Sequence, residues 1–209
     1  MKNKCLIILF TFLIMTAAVF SVSAERELSG DKLDFIPTGE GYSFTAVGNV
    51  ELIYDDITLR SVGRGSYDQT TGDIHFEDEV ELFYLDYEAY SDLLYGNIEQ
   101  EVFHLRENPE ILGPDSHLKG DKIDVYRAEQ KIEVRENTYL DYQNLQAYSE
   151  KIDYYMDREI IILEGNVEGT RNGQKFSAEK VTVDLVEEKV NMEGQATVVF
   201  PQEEKSDGS

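Results

Sequence analysis

A 29-residue repeat constrains the fold of this chain more than any other feature. Five copies and a truncated sixth follow one another, spaced by 30 residues once and then by 29 residues four times. Their first residues are Val47, Glu77, Arg106, Arg135, Glu164 and Glu193. A period of this length is typical of stacked architectures in which each unit contacts only its neighbours. We therefore predict one elongated repeat domain over residues 25–202.

Within each copy, apolar residues alternate with polar ones, as they do from Val50 to Tyr54 and from Lys180 to Leu185. This period of two predicts strands with one buried face, and no stretch shows a sustained helical pattern. Turn residues such as Thr71-Gly72-Asp73 and Arg171-Asn172-Gly173 separate the strands. Each copy is therefore predicted to contain two strands and two turns, or roughly ten to twelve strands in all at common strand lengths.

Two sheets joined repeat after repeat would enclose one apolar face of these strands. The predicted interior positions are Val50, Leu52, Ile74, Phe76, Ile123, Val125, Ile132, Val134, Ile152, Tyr154, Ile161, Leu163, Val181, Val183, Val190 and Met192. Apolar residues at strand spacing more often form an ordinary filled core than a ligand site.

The first 24 residues have the pattern of a secretory signal peptide. Lys2 and Lys4 precede an apolar run from Cys5 to Phe20, and the small residues before Ala24 suit cleavage after it. The alternative is an uncleaved helix that anchors the protein in the inner membrane. Cleavage would remove the single cysteine and leave an exported protein without disulfides. The polar segment 203–209 is predicted to be a tail.

The net charge of the chain limits the kinds of partner it can bind. Forty-two acidic residues against 19 Lys and Arg give a net charge of −23, which excludes nucleic acid as a partner because binding it needs a basic surface. A hydrophobic fraction of 41% is nevertheless enough for a folded core. Because the predicted interior positions are apolar, the acidic residues are expected on outer faces and in turns.

Several phrases of the sequence resemble the OstA-like repeat of the LptA/LptC lipopolysaccharide-transport family. The phrase Ala46 to Leu52 contains Gly-Asn-Val and is followed by a second strand that ends in Ser61, then by Tyr67-Asp68 and a turn with glycine. The pattern recurs from Leu163 to Val181. Two middle copies depart from it, because Glu107-Asn108-Pro109 and Glu136-Asn137-Thr138 replace the Gly-Asn-Val phrase.

The resemblance implies an all-β, OstA-like β-jellyroll or taco of two facing antiparallel sheets that do not close fully. It further implies a non-enzymatic periplasmic carrier or bridge component, which holds the acyl chains of lipopolysaccharide or a similar glycolipid between the sheets and passes the lipid toward the outer membrane. The sixteen predicted interior positions are then the candidate lipid-trough residues. The implied partners are that glycolipid and other OstA-like-fold transport components at the inner and outer membranes. Copies of the chain would join head to tail through their edge strands.

Two other classes of function remain open from the residues alone. One is a structural or adhesive cell-surface β-solenoid with a closed core, and the other is a carbohydrate-active enzyme that uses paired carboxylates among tyrosines. No nucleophile motif or phosphate-binding glycine loop occurs in the sequence, so we predict neither catalytic residues nor a cofactor. His75 and His104 occupy equivalent places in successive copies, which allows them to be neighbours on the outer face, but without a third ligand we predict no metal site.

Overall fold

The computed structural model describes residues 26–200, and all the regular structure in this range is β-strand. The predicted signal peptide 1–24 and the predicted tail 203–209 lie outside the described residues. The strands are β1 (Arg26–Ser29), β2 (Lys32–Thr38), β3 (Gly41–Val47), β4 (Val50–Tyr54), β5 (Ile57–Ser61), β6 (Arg64–Asp68), β7 (Asp73–Tyr84), β8 (Tyr87–Asn97), β9 (Val102–Arg106), β10 (Glu110–Leu112), β11 (Ser116–Lys119), β12 (Lys122–Tyr126), β13 (Lys131–Tyr142), β14 (Leu145–Tyr155), β15 (Ile160–Arg171), β16 (Gln174–Asp184), β17 (Lys189–Glu193) and β18 (Thr197–Val199).

These strands form two antiparallel rows that face each other. The first sheet runs in the spatial order β2, β3, β6, β7, β8, β9, β12, β13, β14, β15, β16, β17. The second sheet runs in the order β1, β4, β5, β7, β8, β10, β11, β13, β14, β15, β16, β18. Strands β7, β8 and β13 to β16 occur in both rows because each of them bends from one sheet into the other.

The bend lies at the same edge of the sheets in every repeat, and we call this edge the corner. Two consecutive residues with positive φ stand at each of six corner positions. These pairs are Gly48-Asn49, Asp78-Glu79, Glu107-Asn108, Glu136-Asn137, Gly165-Asn166 and Gly194-Gln195. Each pair directly follows the first residue of a copy of the repeat. The period in the sequence is therefore the period of the corner, including the copies in which Gly-Asn-Val is lost.

At each corner, the adjacent strand, or pair of short strands, that also runs from one sheet to the other has a small residue where it bends. A Cβ atom on Gly120 would lie 2.5 Å from Cγ1 of Val134, and the hydroxyl of Ser61 donates to the carbonyl oxygen of Asp78 at 3.1 Å. One residue further along, an acidic side chain accepts a hydrogen bond from a corner asparagine, as between Asn137 and Asp121 at 2.7 Å. The small residue of each repeat is thus explained by the space available where the two sheets meet.

The strand count follows from the same geometry. The chain runs from one sheet into the other twelve times. Six of these crossings are one long strand, and six are two short strands separated at the corner. The predicted two strands per copy therefore correspond to two crossings per copy. The sheets are joined by backbone at the corner and end in separate hairpin turns at the opposite edge, which we call the seam. This confirms the predicted class, an all-β fold of facing antiparallel sheets.

Replacing Glu107 by glycine is expected to stabilise the protein. Glu107 has a φ of 61° at the corner, a conformation that costs a side-chain-bearing residue about 1–2 kcal/mol and glycine almost nothing. After the greater entropy loss of glycine is subtracted, we expect the free energy of unfolding to rise by about 0.5–1 kcal/mol. Urea denaturation followed by circular dichroism measures it. The control, Glu168→Gly in the exposed face of β15, should instead lower stability, since glycine weakens a strand interior.

Candidate functional site

The candidate site is the apolar interior between the sheets. The structure places all sixteen predicted trough residues on inward faces, fourteen of them on the first sheet and only Val50 and Leu52 on the second. Val125, Val190 and Met192 are partly buried and pack against the core, and the other thirteen are buried. Their position is therefore interior, while lipid binding by them stays a prediction.

Sequence reasoning missed most of the second sheet's share of this lining, and also Leu94, Phe103 and Leu105 of the first sheet. The buried residues contributed by the second sheet include Ile57, Leu59, Val80, Ile111, Leu118, Leu140, Leu145, Val167 and Phe176. The signal that could have found them is the alternation on the far side of each corner, as in Thr138-Tyr139-Leu140. Tyrosines and acidic residues interrupt that alternation and make it weaker than the Val and Ile pattern of the first sheet.

The middle of the interior is tightly packed. Phe76, Phe103 and Leu163 are at most 1% exposed, and they lie on strands spread along the first sheet. Dense packing of this kind leaves no room for a ligand while the sheets remain in contact. Any ligand there must separate the sheets at the seam, where side chains rather than backbone connect them.

A cavity of about 340 Å³ opens between the sheets at the end formed by β1 to β4. We call it the N-terminal chamber. It is lined by Arg26, Glu27, Leu28, Leu33, Phe44, Leu52, Tyr67 and Gln69. Apolar side chains from both sheets form most of its wall, and Phe44 stacks on Tyr67 with ring centroids 6.4 Å apart. Its volume is at the lower end of the range of small-molecule pockets, about 300–1,000 Å³.

Arg26 stands at the rim of the N-terminal chamber. Its guanidinium lies 4.1 Å from the ring centroid of Tyr54, 3.6 Å from a carboxylate oxygen of Asp55 and 3.8 Å from one of Glu99. The hydroxyl of Tyr54 donates to Glu99, which belongs to a hairpin turn of the first sheet. Burial and then this hydrogen bond raise the pKa of Tyr54. These contacts join the two sheets across the seam.

A second arginine crosses the seam one repeat further along. Arg127, from a turn of the first sheet, binds Asp56 of the second sheet at 3.2 Å and lies 3.4 Å from Glu101. Its guanidinium stacks over Tyr84 of the second sheet at 4.2 Å. The side chain is only 19% exposed, so this guanidinium is enclosed by its partners on both sheets.

The seam also closes in the C-terminal half of the domain. Arg171 donates to the backbone carbonyl of Glu188 at 2.8 Å, beside a cavity of about 140 Å³ that Tyr142 and Leu145 help to line. Burial, followed by a hydrogen bond with Tyr87, raises the pKa of Tyr154 there. Polar contacts at the seam therefore hold together two sheets whose facing surfaces are apolar.

The outer face of the first sheet carries alternating rows of charge. Burial alone would raise the pKa of Asp124, but hydrogen bonds with His104 and Arg106, at 2.7 Å each, hold that pKa below its ordinary value. Asp153 is the only buried charged residue in the described range, and Lys131 and Lys151 cover it. The charged residues are thus outside, as expected from the sequence.

His75 and His104 both lie on the outer face of the first sheet, but they do not form a pair. Tyr95 lies between His75 and His104 in the register of β7, β8 and β9, so the two imidazoles are not neighbours. His75 instead contacts Glu77 at 2.8 Å. Within residues 26–200, no group of three or more His, Cys, Asp or Glu side chains is arranged to hold a metal ion.

A membrane-crossing helix is absent from residues 26–200.

Comparison with known proteins supports the interpretation of the repeat. The crystal structure of LptH from Pseudomonas aeruginosa, described as the LptA-homologous periplasmic component of the lipopolysaccharide transport device, superposes with a TM-score of 0.53 at 15% sequence identity. The match covers 56% of this chain and 95% of LptH, and at this identity it shows a shared fold. No curated protein matches the chain significantly. The sequence profile described as LptA/(LptD N-terminal domain) LPS transport protein matches residues 39–189. The chain therefore belongs to the LptA and LptD N-terminal domain family of lipopolysaccharide transport proteins.

Proposed function

We propose that this protein is a non-enzymatic carrier or bridge component, which binds the acyl chains of lipopolysaccharide or a similar glycolipid between its sheets and passes the lipid toward the outer membrane. The observation that supports this most is the N-terminal chamber, an apolar cavity built from both sheets at an open end. Each methylene removed from water there stabilises a bound chain by about 0.8 kcal/mol. Membership of a transport family supports the same assignment.

The connections between the sheets suit such a carrier. Backbone links them at the corner, whereas side-chain contacts such as Arg127 with Asp56 link them at the seam. A chain that starts in the N-terminal chamber can extend inward if the seam contacts separate and the sheets turn about the corner. The same apolar side chains that pack against each other without ligand would then pack against acyl chains.

The edge strands at the two ends of the domain suggest how partner proteins bind. Among residues 26–200, strands β1 and β2 at one end and β17 and β18 at the other each pair on one side only. Unpaired N–H and C=O groups on such edges allow another strand to add to each sheet. We propose that like-folded transport components, and other copies of this chain head to tail, add at these edges in the periplasm.

Whether the protein is free in the periplasm or anchored in the inner membrane depends on the fate of residues 1–24. If the protein is exported and cleaved after Ala24, mass spectrometry of protein isolated from cells should give Glu25 as the first residue. An intact N-terminus in the membrane fraction would instead support the anchored alternative.

The packed centre also favours a second candidate, a structural or adhesive surface protein with a closed core. Uptake of a fatty acid and of an apolar fluorescent dye separates the two. A carrier should bind both in a saturable manner, with the dye emission shifted to the blue and the fatty acid competing for the same site. Absence of binding by folded protein would contradict the carrier and leave the closed core.

A further inference from the structure

The N-terminal chamber combines an apolar wall with a cationic side chain, Arg26, at its opening. Leu28 and Leu52 from the second sheet and Phe44 from the first provide an apolar wall, and a guanidinium stands at the opening. Guanidinium groups recognise phosphate and carboxylate through paired, charge-assisted hydrogen bonds. An amphiphile with an apolar chain and an anionic head has the matching arrangement.

The present partners of Arg26 leave its donors available. Its distances to Asp55 and Glu99, 3.6 and 3.8 Å, are longer than the roughly 2.7–2.9 Å of a charge-assisted hydrogen bond. The side chain is 52% exposed, and stacking on Tyr54 holds the guanidinium beside the chamber. An anionic oxygen reaching Arg26 can therefore form shorter bonds than the two carboxylates do.

Arg127 differs from Arg26 in each of these respects. It is less exposed, it is already hydrogen-bonded to Asp56, and it does not line the chamber. Its position suits a role in holding the seam closed. Of these two arginines, Arg26 is therefore the one placed to meet the headgroup of a ligand in the N-terminal chamber.

We propose that the N-terminal chamber binds an anionic amphiphile, with its chain against the apolar wall and its phosphate or carboxylate head on Arg26 in place of Asp55 and Glu99. This inference rests on the proposed carrier function and adds to it a headgroup site at Arg26. Arg26 would also be a cationic group that attracts an anion to a protein whose net charge is strongly negative. Loss of the contact between Arg26 and Glu99 on binding would release one of the links across the seam.

The test compares three probes of equal chain length, an alkyl phosphate, a fatty acid and a fatty alcohol, by isothermal titration calorimetry. The unmodified protein should bind both anions more tightly than the alcohol. Arg26→Gln should weaken binding of the two anions about tenfold and leave the alcohol unchanged, since one charge-assisted contact is lost. The matched control is Arg60→Gln on the outer face of the second sheet, where Arg60 pairs with Glu51 at 2.8 Å; it should change none of the three affinities.

The other possible results of the titrations distinguish the headgroup site from the carrier function. If Arg26→Gln leaves anion binding unchanged, or weakens the alcohol as much as the anions, the headgroup assignment is wrong while the carrier function stands. A phosphate-only effect identifies phosphate as the head, and a carboxylate-only effect identifies carboxylate. If folded, unmodified protein binds none of the three probes, the inference and the carrier function both fail.

Discussion

Replacing Leu163 by aspartate is expected to unfold the protein at room temperature. Leu163 is fully buried on β15, between Ile152 and Val181 of the neighbouring strands. Truncating a buried leucine to alanine already costs about 2–5 kcal/mol, and an unpaired carboxyl group adds its own desolvation cost. The sum approaches the total stability of a typical domain, about 5–15 kcal/mol.

Circular dichroism and urea denaturation of three variants measure this effect. Leu163→Ala should remain folded but lose about 3 kcal/mol, and Leu163→Asp should lose its cooperative transition. Val186→Asp, at a turn residue that is 69% exposed, is the control and should be within about 0.5 kcal/mol of the unmodified protein. A stable Leu163→Asp variant would show that water reaches the interior without ligand, so that the centre is a wet trough and not a packed one.

Replacing Leu28 by tryptophan is expected to block ligand binding without unfolding the protein. Leu28 is only partly buried and lines the N-terminal chamber, where the open volume can take a larger side chain. Overpacking a filled core usually costs about 1–3 kcal/mol, but a cavity at an open end avoids most of this cost. Because the indole fills space that an acyl chain would use, affinity for a fatty acid should fall about tenfold or more.

The matched control is Val47→Trp. Val47 lies at the same end of the domain, but it is exposed and sits opposite Lys32 and Arg64 on the outer face of the first sheet. Fluorescence titration should give unchanged affinity for Val47→Trp, with melting temperatures of both variants near that of the unmodified protein. Equal affinities for the Leu28 and Val47 variants would mean that the chamber is not the entrance for the chain.

The corner shows why so much of the fold is visible in the sequence. Gly48-Asn49 and Gly165-Asn166 adopt paired positive φ values, for which glycine and asparagine are the preferred residues, so the phrase itself marks the bend. Glu136-Asn137 adopts the same conformation without glycine. In that copy only Asn137 is left of the phrase, and the spacing of 29 residues from its neighbours identifies the bend. The period predicts the architecture even where the local chemistry does not.

The contacts at the seam could not be predicted from the sequence. Arg127 and Asp56 are 71 residues apart and meet only because stacked repeats bring turns of opposite sheets together. No local pattern distinguishes Arg26, which lines the N-terminal chamber, from Arg60, which lies on an outer face. Much of the interior of the first sheet was predictable because apolar and polar residues alternate there, as from Ile132 to Val134 and from Val181 to Val183. Contacts between turns depend instead on how far the sheets open.

The most direct test of the carrier function is to locate a bound acyl chain. Methyl NMR spectra of the protein with a spin-labelled fatty acid report which side chains lie near the label, because the unpaired electron broadens nearby signals. We expect broadening of the Leu28 and Leu52 methyl groups inside the chamber, with those of Val47 and Val186 on the outside unaffected. Broadening confined to Val47 and Val186, or none at saturating fatty acid, would contradict binding between the sheets.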